Sequence, residues 1–468
     1  MVLMKHPDSV PGVMPSTDTR LDSIVKAYDI RGTVPDQLDE EVAYALGVGF
    51  ARFVNTSHVL VGHDMRQSGL ALVDAFSRGV LEQGVDVIQL GLASTDLVYY
   101  AAGKFDAPGA MFTASHNPAQ YNGVKLCLSG ARPVGVDTGL PAIQATAQAV
   151  LDGQGPLPAA KAGRATQRNL LSSFVEHVLT FIDVSKLRPL RVVADTANGM
   201  GGLVVPAVFE RLAIIDLEVM YGELDGTFPN HPADPLQSAN QRDLQARVTA
   251  GGFDVGLAFD GDADRVFVVD EFGRGISGST TTAMLATTML GKYPGSTILH
   301  NLICSRAVPE VVRERGGIPI RTKVGHSFIK QVMADSGAVF GGEHSAHYYF
   351  RDNYRADSGL IATMLVLEEL SVAQSSLSII RKPLERYASS GEINTQVSDA
   401  NAVIASVAQH FSCYQQDDLD GLTVDCGPWW FNLRPSNTEP LLRLNLEAPN
   451  SDECGERVGE VLALITSM

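Results

Sequence analysis

Asp260, Asp262 and Asp264 stand at alternate positions in DGDADR, between the apolar runs 255–259 and 266–270. On a turn, three carboxylates so spaced can converge on one point, where their mutual repulsion calls for a cation. Hard oxygen ligands suit Mg²⁺ or Ca²⁺ rather than zinc or copper. A solvated acidic hairpin tip is the alternative. The interval from Asp260 to Glu271 has the one-to-twelve spacing of an EF-hand loop, but the sixth position of that loop must be Gly, and here it is Arg265. The flanks also read as strands, so the EF-hand is rejected. Arg265 beside the trio suits a phosphate oxyanion that shares the cation.

Four further clusters carry reactive or ligand-binding groups. In TASHNP (113–118), small Ala114 and turn-forming Asn117-Pro118 present Ser115 on an exposed loop at a strand end, beside His116. There Ser115 is a candidate nucleophile or an ordinary turn serine; no GxSxG surrounds it, so a hydrolase triad is a poor fit. Lys125 follows ten residues on, in NGVK. GGEHSAH (341–347) offers Glu343, Ser345 and His347 as partners for sugar hydroxyls. His344 and His347 have i, i+3 spacing, yet a metal role is disfavoured because no third His or Cys is near them. RPSNTEP (434–440) joins a guanidinium fork to hydroxyl and amide donors, the chemistry of a phosphate clamp or of a polar turn. Near the start, KAYDIRG (26–32) places Arg31 before Gly32, able to aim at a phosphoryl group.

The elements that must position these groups follow an α/β rhythm. Residues 59–62, 85–90 and 109–113 read as strands, with a helix over 70–83 ending at Gly84. The pattern returns with strands at 190–195, 255–259, 266–270, 297–302 and 318–322, and helices near 206–212, 307–315 and 327–336. Residues 152–168, rich in Gly, Pro and Ala, are expected to form a linker. The last stretch differs, with a strand over 441–446 and helices over 401–411 and 452–465. The expected architecture is three related mixed α/β domains (1–165, 166–274 and 275–386) and a smaller α+β C-terminal domain (387–468).

Composition narrows the partners. The 468 residues hold 36 Lys and Arg against 53 Asp and Glu, a net charge of −17, which argues against nucleic acid and anionic membranes. Five scattered Cys without CxxC spacing fit a reducing compartment rather than a disulfide or zinc framework. The prolines of the first twenty residues do not suit an export signal, and no run approaches the roughly 20 apolar residues that span a bilayer. The expected location is the cytoplasm.

Taken in order, KAYDIRG, TASHNP with NGVK, DGDADR, GEHSAH and RPSNTEP resemble the successive signatures of the α-D-phosphohexomutase superfamily. VGHDMRQSG, VADTANGMGG and FPNHPADP fit as well, so the resemblance covers about residues 24–447 and is nearest to the bacterial phosphomannomutase/phosphoglucomutase group. It implies a central cleft between the four domains and a phosphoserine at Ser115 that exchanges a phosphoryl group with a hexose phosphate through a bound hexose 1,6-bisphosphate. Ser115, Asp260, Asp262 and Asp264 would hold Mg²⁺. Arg31, His116 and Arg265 would steady the transferring group, and Lys125 and His347 would do acid–base work. Glu343 and Ser345 would bind sugar hydroxyls. Arg434, Ser436, Asn437 and Thr438 would grip the non-reacting phosphate, and His326 would line the cleft. The expected reaction interconverts mannose 6-phosphate and mannose 1-phosphate, with glucose phosphates or both sugars as the alternative and a metal-dependent sugar phosphatase as a further one. Partners are small hexose phosphates, and the assembly is a monomer or homodimer. Ile303 stands where the family often carries Lys, and His344 where Met is common.

Overall fold

A computed structural model describes residues 20–435 and 441–466, apart from the side chain of His326. Its strands form four sheets, one after another along the chain. In the first, the buried strand His58–His63 runs parallel to Asp86–Leu92 and Gly109–Phe112, and Tyr121–Leu128 returns antiparallel to the latter. Ser115 lies in that return loop. Helices Glu40–Val54, Gly69–Glu82 and Leu140–Leu151 share a buried apolar cluster with the sheet.

In the second sheet Val255–Phe259 is parallel to Leu190–Asp195 and antiparallel to Val266–Asp270. All residues of the 255–259 and 266–270 strands are buried, and all but Asp270 are apolar or glycine, so the Asp-rich connection emerges from a largely apolar base. The third sheet runs Ile318–Thr322, Thr297–Asn301, Phe340–Gly342, Tyr348–Phe350, and the GEHSAH loop closes the antiparallel pair at its end. The fourth is antiparallel throughout, flanked by Ala400–His410 and Ser451–Thr466. This is the expected class: three α/β units and a different C-terminal one.

One continuous apolar cluster joins helix Thr95–Lys104 of the first unit to the second and third units. The C-terminal unit has its own core. It meets the third unit through polar contacts instead: Arg306 with Asp425 at 2.6 Å, the Arg306 amide with Glu447 at 2.9 Å, and the Val324 amide with Asp420 at 3.1 Å. No single helix among the described residues is long and apolar enough to cross a membrane.

Two expectations need correction. The stretch 152–168 is not only a linker, because Ala165–Gln167 adds a parallel edge strand to the first sheet. Its side chains are exposed, so no apolar pattern marked it. The helix expected near 206–212 instead runs Gly201–Phe209, with Pro206 inside it. Its first turn uses two glycines that propensity disfavours, yet a Cβ on Gly202 would lie 2.1 Å from the Gly222 carbonyl oxygen. Ala165–Gln167 spans residues 165 and 166, and Gly275–Ile276 pairs with the second sheet.

Helices Glu40–Val54 and Gly69–Glu82 cross at reciprocal glycines. A Cβ on Gly47 would come 2.1 Å from Phe76 O, and one on Gly79 would come 2.3 Å from Tyr44 O. Gly79→Val therefore must push the helices apart. Calorimetry is expected to show a lower unfolding midpoint, in line with an overpacking cost of about 1–3 kcal/mol. An unchanged midpoint would contradict this close contact.

Candidate active site

The loop 113–120 carries Ser115 in a left-handed conformation, with φ of 49°. Its amide donates to Thr113 Oγ1 at 2.9 Å, and its hydroxyl donates to Asp260 Oδ2 at 2.8 Å. That second bond crosses from the first unit to the second. It depends on close approach at the next residue, since a Cβ on Gly261 would lie 2.3 Å from the Ser115 carbonyl oxygen. Residues 145 positions apart thus meet at a wall only glycine can form.

The three aspartates are fully or almost fully buried, with potential ligand oxygens within 4.8 Å of one another. Cationic groups surround them. Lys125 Nζ donates to Asp262 at 2.6 Å and to Asp264 at 2.7 Å, and Arg265 Nε donates to Asp260 at 2.9 Å. Thr95 Oγ1 donates to Asp262 at 2.5 Å from the first turn of its helix. Burial pushes the Asp260 carboxyl well above its ordinary range despite Arg265. Burial acts the same way on Asp262, but Lys125 and the hydroxyls of Thr95 and Ser115 outweigh it and hold that carboxyl below the ordinary range. For Lys125 burial disfavours charge, while the same two carboxylates prevail and raise its pKa.

One oxygen on each of Asp262 and Asp264 (Oδ1 in both) is buried with no hydrogen-bond partner. Buried carboxylate oxygens are rarely left so. Two orphaned oxygens in a cluster of three carboxylates fit a small hard cation, and the donor set suits Mg²⁺.

Positive charge also lines the Ser115 side. Arg265 Nη2 donates to His116 Nδ1 at 2.5 Å, which puts the imidazole proton on Nε2. Burial, then Arg265 and Arg31, hold His116 well below its usual pKa, so it is neutral. Arg31 reaches Asn117 Oδ1 at 2.7 Å and is braced by Asp29 at 2.8 Å.

The GEHSAH loop arrives from the third unit. Backbone pairing of Arg265 with His347 joins it to the aspartate loop. His347 Nε2 lies 3.8 Å from Asp264 Oδ1, and Ser345 Oγ is 3.1 Å from His347 Nδ1. Glu343 is buried and accepts from Gly325 N, Asn301 Nδ2 and Tyr349 OH at 3.1, 3.3 and 2.8 Å. His344 takes up Asn301 Nδ2 at 3.1 Å, and burial lowers its pKa to about 3. His347, Asp264 and Asp357 form a second set of potential ligand atoms within 4.8 Å. His or Cys spacing along the chain does not mark this set, because its other two members are carboxylates and Asp264 comes from another unit.

Arg434 pairs with Glu392 at 3.0 Å across the C-terminal sheet. Ser436, Asn437 and Thr438 lie outside the described residues, as does the side chain of His326, which begins helix His326–Ser336. Ile303 is buried and offers the cleft no polar atom. The sequence does not single out Thr95 or Asp29, and nothing in it ties Thr95 to an aspartate 167 positions away.

Four family models for phosphoglucomutase/phosphomannomutase match the chain: α/β/α domain I over 22–151, domain II over 172–273, domain III over 277–387 and the C-terminal domain over 392–464. The chain is 42% identical over 426 residues to a protein named phosphohexose mutases from Xanthomonas campestris, covering 90% of this chain and 94% of that protein. It is 39% identical over 431 residues to phosphomannomutase of Escherichia coli K12, with the same coverage. A crystal structure of a phosphoglucomutase/phosphomannomutase family protein from Burkholderia thailandensis superposes with a TM-score of 0.85 at 29% identity, covering 96% of this chain and 98% of the other.

Removing one carboxylate tests the cation site. Asp262→Ala is expected to weaken Mg²⁺ binding in isothermal titration calorimetry by more than the roughly 10- to 100-fold typical of losing an outer-shell partner, because Asp262 would itself be a ligand. An unchanged Kd would show that the trio does not hold the ion.

Proposed function

The chain belongs to the phosphoglucomutase/phosphomannomutase family and is an isomerase-type phosphotransferase, and from that premise we propose that it interconverts mannose 6-phosphate and mannose 1-phosphate through a phosphoserine at Ser115. The observation that carries this reading is the 2.8 Å bond from Ser115 Oγ to Asp260, with Arg265 and neutral His116 on the other side. It sets one hydroxyl between anionic groups fit to hold a cation and donors fit to hold a phosphoryl group.

Phosphoryl transfer depends on alignment and charge neutralisation. A hydroxyl oxygen of the sugar attacks the phosphorus on Ser115. The new P–O bond forms as the bond to Oγ breaks, and the hydroxyl proton passes to a base. His347 is the proposed base, oriented by Ser345. Lys125, held charged by Asp262 and Asp264, is the counter-charge and proton donor. Asp260, Asp262, Asp264 and the Ser115 phosphate would hold Mg²⁺, which supplies positive charge against the transferring group. Arg31, His116 and Arg265 steady that group's oxygens. The product of this half is a hexose 1,6-bisphosphate, which turns and returns its other phosphoryl group to Ser115. Glu343 and Ser345 take sugar hydroxyls in either orientation. Arg434, Ser436, Asn437 and Thr438 take the distal phosphate, and His326 lines the cleft. Water must be kept out while the bisphosphate turns, and the polar seam beside the C-terminal unit is where we place the closing motion.

Ser115→Ala is expected to lower mutase turnover by about a thousandfold or more. After incubation with glucose 1,6-bisphosphate, the intact mass of the unmodified protein should rise by about 80 Da, one phosphoryl group, and that of the variant should not. Wild-type turnover in the variant would defeat the phosphoserine. For the sugar, kcat/KM is expected to be higher with mannose 1-phosphate than with glucose 1-phosphate; equal values would make the enzyme dual-specific. Stoichiometric release of inorganic phosphate would favour a phosphatase.

A further inference from the structure

Arg66 takes no place in the chemistry above, yet it is 3% exposed and every N–H of its guanidinium is used. Nε donates to Asp64 Oδ2 at 3.2 Å. Nη1 donates to the carbonyls of Pro118 and Tyr121, both at 2.8 Å. Nη2 donates to the carbonyls of Ser115 and Asn117 at 2.9 and 2.6 Å. Five donors in a rigid planar fork are what arginine alone among side chains offers. Here four of them converge on the backbone of one loop.

That loop needs outside support. Between strands Gly109–Phe112 and Tyr121–Leu128 there is no regular element to satisfy its carbonyls. A non-glycine residue in the left-handed region costs about 1–3 kcal/mol and persists only where its surroundings hold it. Asp64 completes the bracket. It is wholly buried, accepts from the amide of Arg66 at 2.9 Å and is bonded by the Thr113 hydroxyl. Thr113 Oγ1 in turn receives the Ser115 amide. Asp64 and Arg66 therefore grip Ser115 through both its N–H and its C=O. The metal-loop unit covers the same arginine. The Phe228 ring lies over the guanidinium with its centroid 5.1 Å away, and a Cβ on Gly226 would come 2.7 Å from Arg66 Cα.

We propose that Arg66 is the positioning residue of the nucleophile, fixing the left-handed turn that aims Ser115 Oγ at the aspartate loop while touching neither substrate nor the reacting atoms. The proposal rests on Ser115 as the phosphoryl carrier. Lysine keeps the charge of Arg66 but cannot bridge four carbonyls. A misplacement of about 1 Å costs on the order of 100-fold in rate.

The test measures Ser115 phosphorylation by glucose 1,6-bisphosphate in single-turnover mass spectrometry, beside steady-state kinetics. In Arg66→Lys we expect the phosphorylation rate and kcat to fall by about 100-fold while KM stays within about twofold, since the sugar- and phosphate-binding loops are untouched. A phosphorylation rate within about threefold of the unmodified protein, in the same assay where Ser115→Ala takes up nothing, overturns the positioning role and leaves the phosphoserine standing. A rise in KM that matches the fall in kcat also overturns it, because it would mark a general loss of shape. An unmodified protein that never gains phosphate on residue 115 overturns the reading beneath it instead. If Arg66→Lys does not fold, Asp64→Asn decides, because it leaves the arginine in place but takes the carboxylate from Nε. A fall of about tenfold or more at steady KM supports the bracket, and an unmodified rate refutes it.

Discussion

Three carboxylates taken out of water at one point set the terms for the whole molecule. Asp260, Asp262 and Asp264 rise from two wholly buried strands, and their own unit supplies only Arg265 against them. Isolated buried charge is too costly to persist, so counter-charge must come from elsewhere. Lys125 and the Thr95 hydroxyl reach across from the first unit, and His347 approaches from the third. Two carboxylate oxygens stay without partners, and a cation would complete them. The same electrostatic demand that draws three units together creates the charge field in which phosphoryl transfer is feasible.

The cores follow that division of labour. The first three units share a continuous apolar cluster, which suits loops that must hold their mutual geometry to fractions of an ångström. The C-terminal unit has a separate core and a seam built of an ion pair and amide contacts. Such polar seams resemble transient interfaces rather than fused cores. The unit that offers Arg434 is thus the one least bound to the rest by apolar contact.

Glycine does quiet work at each junction. Gly261 lets the aspartate loop meet Ser115, and Gly278 lets helix Gly278–Lys292 meet the GEHSAH loop, where a Cβ would fall 2.3 Å from His344 O. In the sequence these residues look like turn formers. Their need for contact appears only when the opposing backbone is in place.

The chain itself made much of this legible. Short apolar runs, VVA within 190–195, all of 255–259 and VFVV at the start of 266–270, marked these strands, because strands buried on both faces need no alternation. Reactive residue types in dense clusters marked Ser115, the aspartate trio and the GEHSAH loop, since such groups are seldom so crowded without a task. The edge strand Ala165–Gln167 stayed hidden because its residues are exposed and carry no pattern. Arg66 and Thr95 stayed hidden for a different reason: each acts on groups that are distant in sequence, Arg66 through backbone carbonyls that any residue could have offered and Thr95 through a buried carboxylate of another unit. Local chemistry and burial pattern are written in consecutive residues and can be read there. Which cluster faces which, and which side chain holds another in place, is fixed only when the strands and helices pack, because charge balance and close backbone approach are properties of the assembled chain.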